Sequence, residues 1–302
     1  MSGSSRIWAS RVGASRVWAS RVRLALLLAP ALLVVGGLFG AGLFTGLVRS
    51  FNYMPVIGLT RPNWDAYRAV LTDPQFGRSV VLSVYISVMS TAISVAIAVP
   101  AALLLRRNFA GRGLVSFLFQ LNLTVPHLVG AIGILYLLSQ SGSFARVGFA
   151  AGLISRPADF PALVFDPAAI GIILQYVWKE VPFIGLILLA NLQSIGPEVE
   201  AVARSLGASP LQARRHVVLP LLAPGLGAAA VIVFAFTFGA YEVPLVLGAY
   251  APVTLPVLAY RSYTDVDLAA RPQAMAMAMI IALLSGLMVA LLLRLQRRAG
   301  AL

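Results

Sequence analysis

The chain has 302 residues, 60% of them hydrophobic and only 11% charged, against about 25% charged in soluble globular domains. One soluble core cannot hide that much apolar surface, so the bilayer is the solvent that fits the composition. There are no cysteines and only two histidines, His127 and His216, which excludes disulfides and thiolate metal sites and argues against a zinc or haem centre.

A net charge of +13 invites a nucleic-acid reading, but its distribution excludes one. Most basic residues are arginines at the ends of apolar runs, where they orient a chain in a membrane. The first 23 residues carry Arg6, Arg11, Arg16, Arg21 and Arg23 and repeat themselves: Ser-Arg-Ile-Trp-Ala-Ser-Arg-Val, then Ser-Arg-Val-Trp-Ala-Ser-Arg-Val. This basic tail is too long for a cleavable signal. It reads as a cytoplasmic extension that fixes topology, with docking on anionic lipid through Trp8 and Trp18 as the alternative.

Six apolar stretches follow: Leu24–Val48, Ser79–Leu105, Leu114–Leu138, Ala168–Leu192, Leu221–Leu245 and Gln273–Leu293. Each is long enough to cross about 30 Å of hydrocarbon as a helix. Their length and continuity exclude barrel strands. The expected fold is therefore all-α: a polytopic membrane protein of about six helices. It divides into the tail 1–23, a first span 24–48, an external segment 49–78, a core of five spans over 79–293, and a short tail 294–302.

Placing the N-terminus inside puts the larger share of arginines in the cytoplasm. These include Arg106, Arg107 and Arg112, then Arg204, Arg214 and Arg215, and finally Arg294, Arg297 and Arg298. Both termini are then cytoplasmic. The outer segments Phe51–Arg78, Ser139–Asp166 and Val246–Arg271 are long enough for short surface helices, a natural docking face for an external protein. Thr254-Leu-Pro-Val-Leu and Arg271-Pro-Gln-Ala-Met suit a re-entrant segment before the sixth span.

The cytoplasmic loop 196–220 carries the most information. Pro197 suits a first helical position. Glu198 and Glu200 follow in the first turn, where carboxylates favour the positive helix end, and Arg204 lies near the negative end. Val199, Val202, Ala203 and Leu206 share one face. Gly207 can take the left-handed conformation that stops a helix. Ser209 is a good N-cap, Pro210 a good first residue, and Gln212 completes a capping box. Pro220 is expected to end this second helix as the chain meets the membrane. The product is a helix–glycine–helix elbow with an apolar face suited to a groove on another protein.

This loop resembles the EAA loop in membrane subunits of bacterial binding-protein-dependent ABC importers. Gly207, Ala208 and Leu219-Pro220 match its spacing, and Ala203 matches its second alanine. Ala201 stands where the family has glutamate, so Glu198 or Glu200 takes that role. Asn63-Trp-Asp-Ala-Tyr67, Trp178-Lys-Glu-Val-Pro-Phe183, Asn191-Leu-Gln-Ser-Ile195 and Gly239–Gly248 extend the likeness over about residues 60–295.

The resemblance implies a type I importer permease in a bacterial cytoplasmic membrane. It would pair with a second permease subunit, a paralogue or itself, and with two ATP-binding subunits. The elbow would fit a cleft on each ATPase, and an extracytoplasmic solute-binding protein would deliver the cargo. ATP and Mg would belong to the ATPase, because this chain has no Gly-x-x-x-x-Gly-Lys-Ser/Thr loop. The chain itself would bind no cofactor and catalyse nothing. The pattern is most similar to permeases of the polyamine, iron(III), sulfate and thiamine group.

Charges inside a bilayer are costly and face a cavity or a partner. Lys179 and Glu180 fall mid-span in the fourth stretch, and Glu242 near the outer end of the fifth. They are candidates for the substrate path or for interhelical salt bridges. Asn122, Gln175, Tyr241 and Asn191 are weaker candidates, since polar residues in spans often hold helices together. Glu180 and Glu242 lean toward a cationic cargo such as a polyamine. Pro182 frees a nearby carbonyl, and Pro100, Pro126 and Pro244 mark expected kinks. His127 reads as an interhelical hydrogen-bonding residue, and His216 faces solvent or the ATPase. An ion-coupled secondary transporter is the competing reading; it needs no elbow, and no inverted repeat is visible. An intramembrane enzyme would need a His-Glu-x-x-His or Gly-x-Ser-x-Gly constellation, and the sequence has neither.

Overall fold

The computed structural model describes the backbone of residues 4–298 and the side chains of residues 23–295. Thirteen α-helices succeed one another: α1 (Ser4–Ser50), α2 (Asp65–Thr72), α3 (Pro74–Leu105), α4 (Arg112–Thr124), α5 (His127–Leu138), α6 (Ser143–Ala150), α7 (Ile170–Ile195), α8 (Glu198–Ser205), α9 (Pro210–Ala213), α10 (Leu219–Gly239), α11 (Glu242–Leu247), α12 (Leu255–Tyr263) and α13 (Arg271–Arg298). Among the described residues the only extended pairing is an isolated bridge between Met54 and Leu59. The all-α expectation holds. The tail arginines, Trp8 and Trp18 lie outside the described side chains, as do Arg297 and Arg298.

The core is α3, α7 and α10 packed on one another. Apolar attraction cannot drive helices together in lipid, so close approach and interhelical hydrogen bonds must. α3 supplies the close approach through a stripe of small residues at three- and four-residue spacing: Ser79, Ser83, Ser87, Ser90, Ser94, Ala98 and Ala102, all buried. Near the elbow end, α7 presents Ile184, Leu188 and Leu192 to Ala98, Ala102 and the Leu222 face of α10. At the other end, Ile86, Ala131, Leu138, Ile172 and Leu247 form a second cluster.

α13 packs against α10, α12 and α2, and carries α1 on its outside. From Arg23 to Thr45 α1 is almost wholly exposed, and among its described side chains burial begins at Gly46 and Ser50. There Phe51, Trp64 and Tyr67 pack edge-on or tilted with centroids 4.7–5.5 Å apart, and Ser50 shares a 2.8 Å hydrogen bond with the Tyr67 hydroxyl. The Asn63–Tyr67 motif thus fastens α1 to α2. The segments 51–78, 139–166 and 246–271 hold the short helices α2, α6 and α12.

Several sequence boundaries change. α1 starts at Ser4 rather than Leu24, and α3 at Pro74 rather than Ser79. The stretch Leu114–Leu138 is not one helix; Val125 is extended and Pro126 has no N–H, so it divides into α4 and α5. By length and hydropathy alone the third spanning segment is His127–Ala150. The contacts favour α4 with α5 instead: Arg112 bonds the Leu105 carbonyl at the elbow end of α3, while Leu138 lies in the cluster at the opposite end. The fifth stretch, expected to reach Leu245, stops at Gly239 because Ala240 is extended. The second elbow helix does not end at Pro220. It runs from Pro210 through a π-turn at Arg214–Val218 straight into α10. Leu219 N–H donates to the Arg214 carbonyl, a five-residue step that shifts the register just before Pro220, which has no N–H to give. The sixth helix opens at Arg271 rather than Gln273.

Candidate functional site

The elbow has the geometry its sequence dictates. α8 ends in a Schellman motif: Gly207 N–H reaches the Arg204 carbonyl at 3.0 Å and Ala208 N–H the Ala203 carbonyl at 3.1 Å. Gly207 sits at φ +93°, with open space where a side chain would be. Ser209 and Gln212 form the reciprocal capping box, Ser209 N–H to Gln212 Oε1 at 2.8 Å and Gln212 N–H to Ser209 Oγ at 3.3 Å.

Of the apolar face, Val199 and Ala203 are half-buried, while Val202, Leu206 and Leu211 are 59%, 84% and 71% exposed. Three large apolar side chains at one corner are thus left mostly uncovered by the described residues. His216 is exposed on the next turn, with Nδ1 3.2 Å from the Gln212 carbonyl.

The two acids part company here. The Glu200 carboxylate lies 3.5 Å from Arg106 Nη1 and 4.0 Å from Arg214 Nε. Arg106 also donates to the Gly196 carbonyl at 2.8 Å. Glu200 therefore joins the end of α3 to both halves of the elbow. Glu198 is exposed and folds back over Gly196. In the sequence Arg106 and Arg214 read as topology signals only, because the partner of each lies far away in sequence or across the glycine turn.

A second polar cluster sits mid-molecule, where the α4–α5 break faces α7. Pro182 removes the N–H that would serve the Trp178 carbonyl four residues back. That carbonyl accepts instead from the Asn122 side-chain amide. In return Lys179 Nζ donates to the carbonyls of Asn122 and Val125, 2.6 Å each, at the end of α4. A cation there also meets the negative end of the helix dipole. Gln175 Nε2 reaches the His127 carbonyl at 3.2 Å, and His127 Nε2 lies 3.5 Å from Glu180 Oε1, with its ring against Phe236 at 4.8 Å.

Asn122, Gln175 and Lys179 thus come together on the backbone carbonyls around the break, and Glu180 joins the cluster through the His127 side chain. The signal was present in the sequence: Pro126 and Pro182 each stand four residues after the residue whose carbonyl needs a cap. Asn122 Oδ1, Gln175 Oε1 and the Tyr176 hydroxyl remain without partners. Gly130 lets α5 approach, since a Cβ there would lie 2.8 Å from the Trp178 ring.

Tyr241 and Glu242 are elsewhere. They lie at the turn between α10 and α11, exposed, with Tyr241 stacked on Tyr260 at 5.0 Å. Asn191 rests against Gly225 on α10. Among the described residues no group of three or more His, Cys, Asp or Glu could hold a metal ion.

Residues 94–300, which contain the α3 end, the break and the elbow, match the family described as binding-protein-dependent transport system inner membrane component. The chain belongs to this family. The permease is 31% identical to molybdenum transport system permease protein ModB of Mycobacterium tuberculosis over 246 residues, spanning 79% of this chain and 87% of that protein. It is 27% identical to sulfate transport system permease protein CysT of Salmonella typhimurium over 187 residues, 62% of this chain and 64% of that one. Its fold matches a bacterial alginate ABC transporter in complex with alginate pentasaccharide-bound periplasmic protein, with TM-score 0.77 over 94% of this chain and 98% of that one, at 19% identity. The permease is thus a multi-pass inner membrane component of a transport system.

Proposed function

We propose that this permease forms half of the translocation pathway of an ATP-driven importer, with its elbow seated in a cleft of an ATP-binding subunit. The observation that carries this is the elbow itself: a rigid corner with Val202, Leu206 and Leu211 exposed, tied to α3 through Glu200 and continuous with α10. Force applied to the corner passes along α10 without a hinge loop, and through Arg106 into α3. Two such chains, or this chain and a paralogue, would enclose the pathway over two ATPases. Both termini and the elbow would then be cytoplasmic, and α2, α6 and α12 would face the solute-binding protein.

The cargo we infer is a tetrahedral oxyanion such as sulfate or molybdate; sulfate and molybdenum transport are what the names of two relatives state. The polyamine reading leaned on Glu180 and Glu242. Glu180 faces His127 at 3.5 Å, so half of that support has another occupation. Tyr241 and Glu242, exposed where α10 ends, stand as the pathway candidates, and Lys179, Asn122, Gln175 and Glu180 as its frame.

Purification of the full chain from its native host tests the assembly. An ATPase that co-purifies and crosslinks through Leu206→Cys supports it; an elbow that crosslinks to no ATP-binding protein sinks it. Proteoliposomes holding the assembled complex and its binding protein then test the cargo. ATP-dependent uptake of labelled sulfate or molybdate is expected, and uptake of spermidine in their place would restore the earlier reading.

A further inference from the structure

At the end of the molecule farthest from the elbow, a pocket of about 120 Å³ opens between the first turns of α3 and the approach to α12. Gln75, Arg78, Ser79, Tyr250, Pro252 and Arg261 line it. A space of that size admits a group larger than a single water.

Three observations point the same way. Ser79 is 1% exposed and its hydroxyl has no hydrogen-bond partner. Along the same stripe Ser83 and Ser87 each donate to the carbonyl four residues back at 2.8 Å; Ser79, like Ser90 and Ser94 deeper in the bundle, does not, and of these three only Ser79 lines the pocket. A buried hydroxyl without a partner is costly unless something else fills the role.

Arg78 and Arg261 are the second observation. Among the described residues neither has a carboxylate within 4.0 Å. Arg68 and Arg156 have Asp65 and Asp159 at 3.9 and 3.0 Å, whereas Arg49, Arg61, Arg146 and Arg271 also lack such a pair among the described residues. Arg78 and Arg261 are exposed, and what sets them apart is that they line one pocket. Arg261 is aimed by Tyr250, donating to its carbonyl at 3.2 Å and lying 5.1 Å from its ring, which leaves the rest of its donors free.

The third is the backbone. Gln75, Arg78 and Ser79 stand in the first two turns of a 32-residue helix, whose positive end favours an anion. Asp73 is already committed to the Gln75 N–H at 2.8 Å, and no acidic residue lines the pocket.

We propose that this pocket binds a tetrahedral oxyanion, either a free sulfate-like dianion or the phosphate of an anionic lipid headgroup. Two guanidinium groups, the Gln75 amide and the Ser79 hydroxyl supply the donors. The site stands apart from the cargo reading, because a headgroup would satisfy the same groups.

The test uses the full chain in nanodiscs. In phosphatidylcholine discs, labelled sulfate is titrated; in parallel, retention of phosphatidylglycerol is followed by native mass spectrometry. Arg78→Gln with Arg261→Gln should weaken one of the two by about tenfold or more. Ser79→Ala should weaken it several-fold without lowering the melting temperature, since the hydroxyl it removes has no partner. Saturable sulfate binding identifies the free ion as the ligand; retained phosphatidylglycerol without sulfate binding identifies the headgroup. The proposal is overturned if the wild-type chain binds neither, or if the double variant binds both as well as wild type. A chain that binds sulfate here but does not import it would overturn only the cargo reading.

Discussion

Arg106 and Glu200 stand 94 residues apart in sequence and meet at 3.5 Å. The pair is about one-quarter exposed or less on each side, and it joins the end of a spanning helix to the corner that we assign to the ATPase. A double-mutant cycle with Arg106→Met and Glu200→Gln should give a coupling of about 0.5–1 kcal/mol in thermal unfolding. Either single change should also loosen ATP hydrolysis from uptake. Additive unfolding effects with normal coupling would make the contact incidental.

Gly207 tests the corner directly. Its φ of +93° is closed to β-branched side chains, although nothing crowds the position. Gly207→Val should therefore distort the turn at a cost of about 1–2 kcal/mol and uncouple ATPase activity from transport, with Gly207→Asn milder. Normal stimulated transport by Gly207→Val is the result that removes the elbow from the mechanism.

Lys179 and Glu180 are neighbours with different expected phenotypes. Lys179→Met removes a donor from two carbonyls; Asn122 O keeps the Val125 N–H at 3.2 Å, while the Val125 carbonyl loses its cap, a loss of about 1–3 kcal/mol for a buried unpaired group. It should lower the melting temperature of the solubilised chain and the yield of assembled complex. Glu180→Gln keeps the volume and should leave assembly intact while altering uptake. Equal melting temperatures for Lys179→Met and wild type would mean that the break does not depend on its cap.

Gly130→Ala places a methyl against the Trp178 ring and the Gln175 amide. Overpacking of this kind costs about 1–3 kcal/mol, and it should also break the bond from Gln175 to the His127 carbonyl. A melting temperature unchanged from wild type would show that α5 yields easily.

The absence of native cysteines makes sidedness measurable with single substitutions. Leu206→Cys, on the elbow, should resist a membrane-impermeant maleimide in intact cells and react after permeabilisation. Val266→Cys, at a position 98% exposed in the segment between α12 and α13, should react from outside. The reverse pattern would invert the topology and place the corner beyond reach of ATP.

Composition and run length alone determined that the chain is helical and built for a bilayer, because backbone groups in lipid must be paired within a helix over about twenty residues. Local rules also sufficed for the elbow: a left-handed glycine and a reciprocal capping box depend on neighbours within five positions. What the sequence could not settle is which distant groups meet. Glu200 rather than Glu198 takes the arginines because α3 happens to end beside it. Lys179 caps a helix end because two prolines, 56 positions apart by their numbers, leave carbonyls bare at the same depth. The continuous helix through Pro220 likewise needed a π-turn that no residue pattern announces. Local hydrogen bonds are written in adjacent residues; pairings between spans are decided only when small side chains let the helices close on one another.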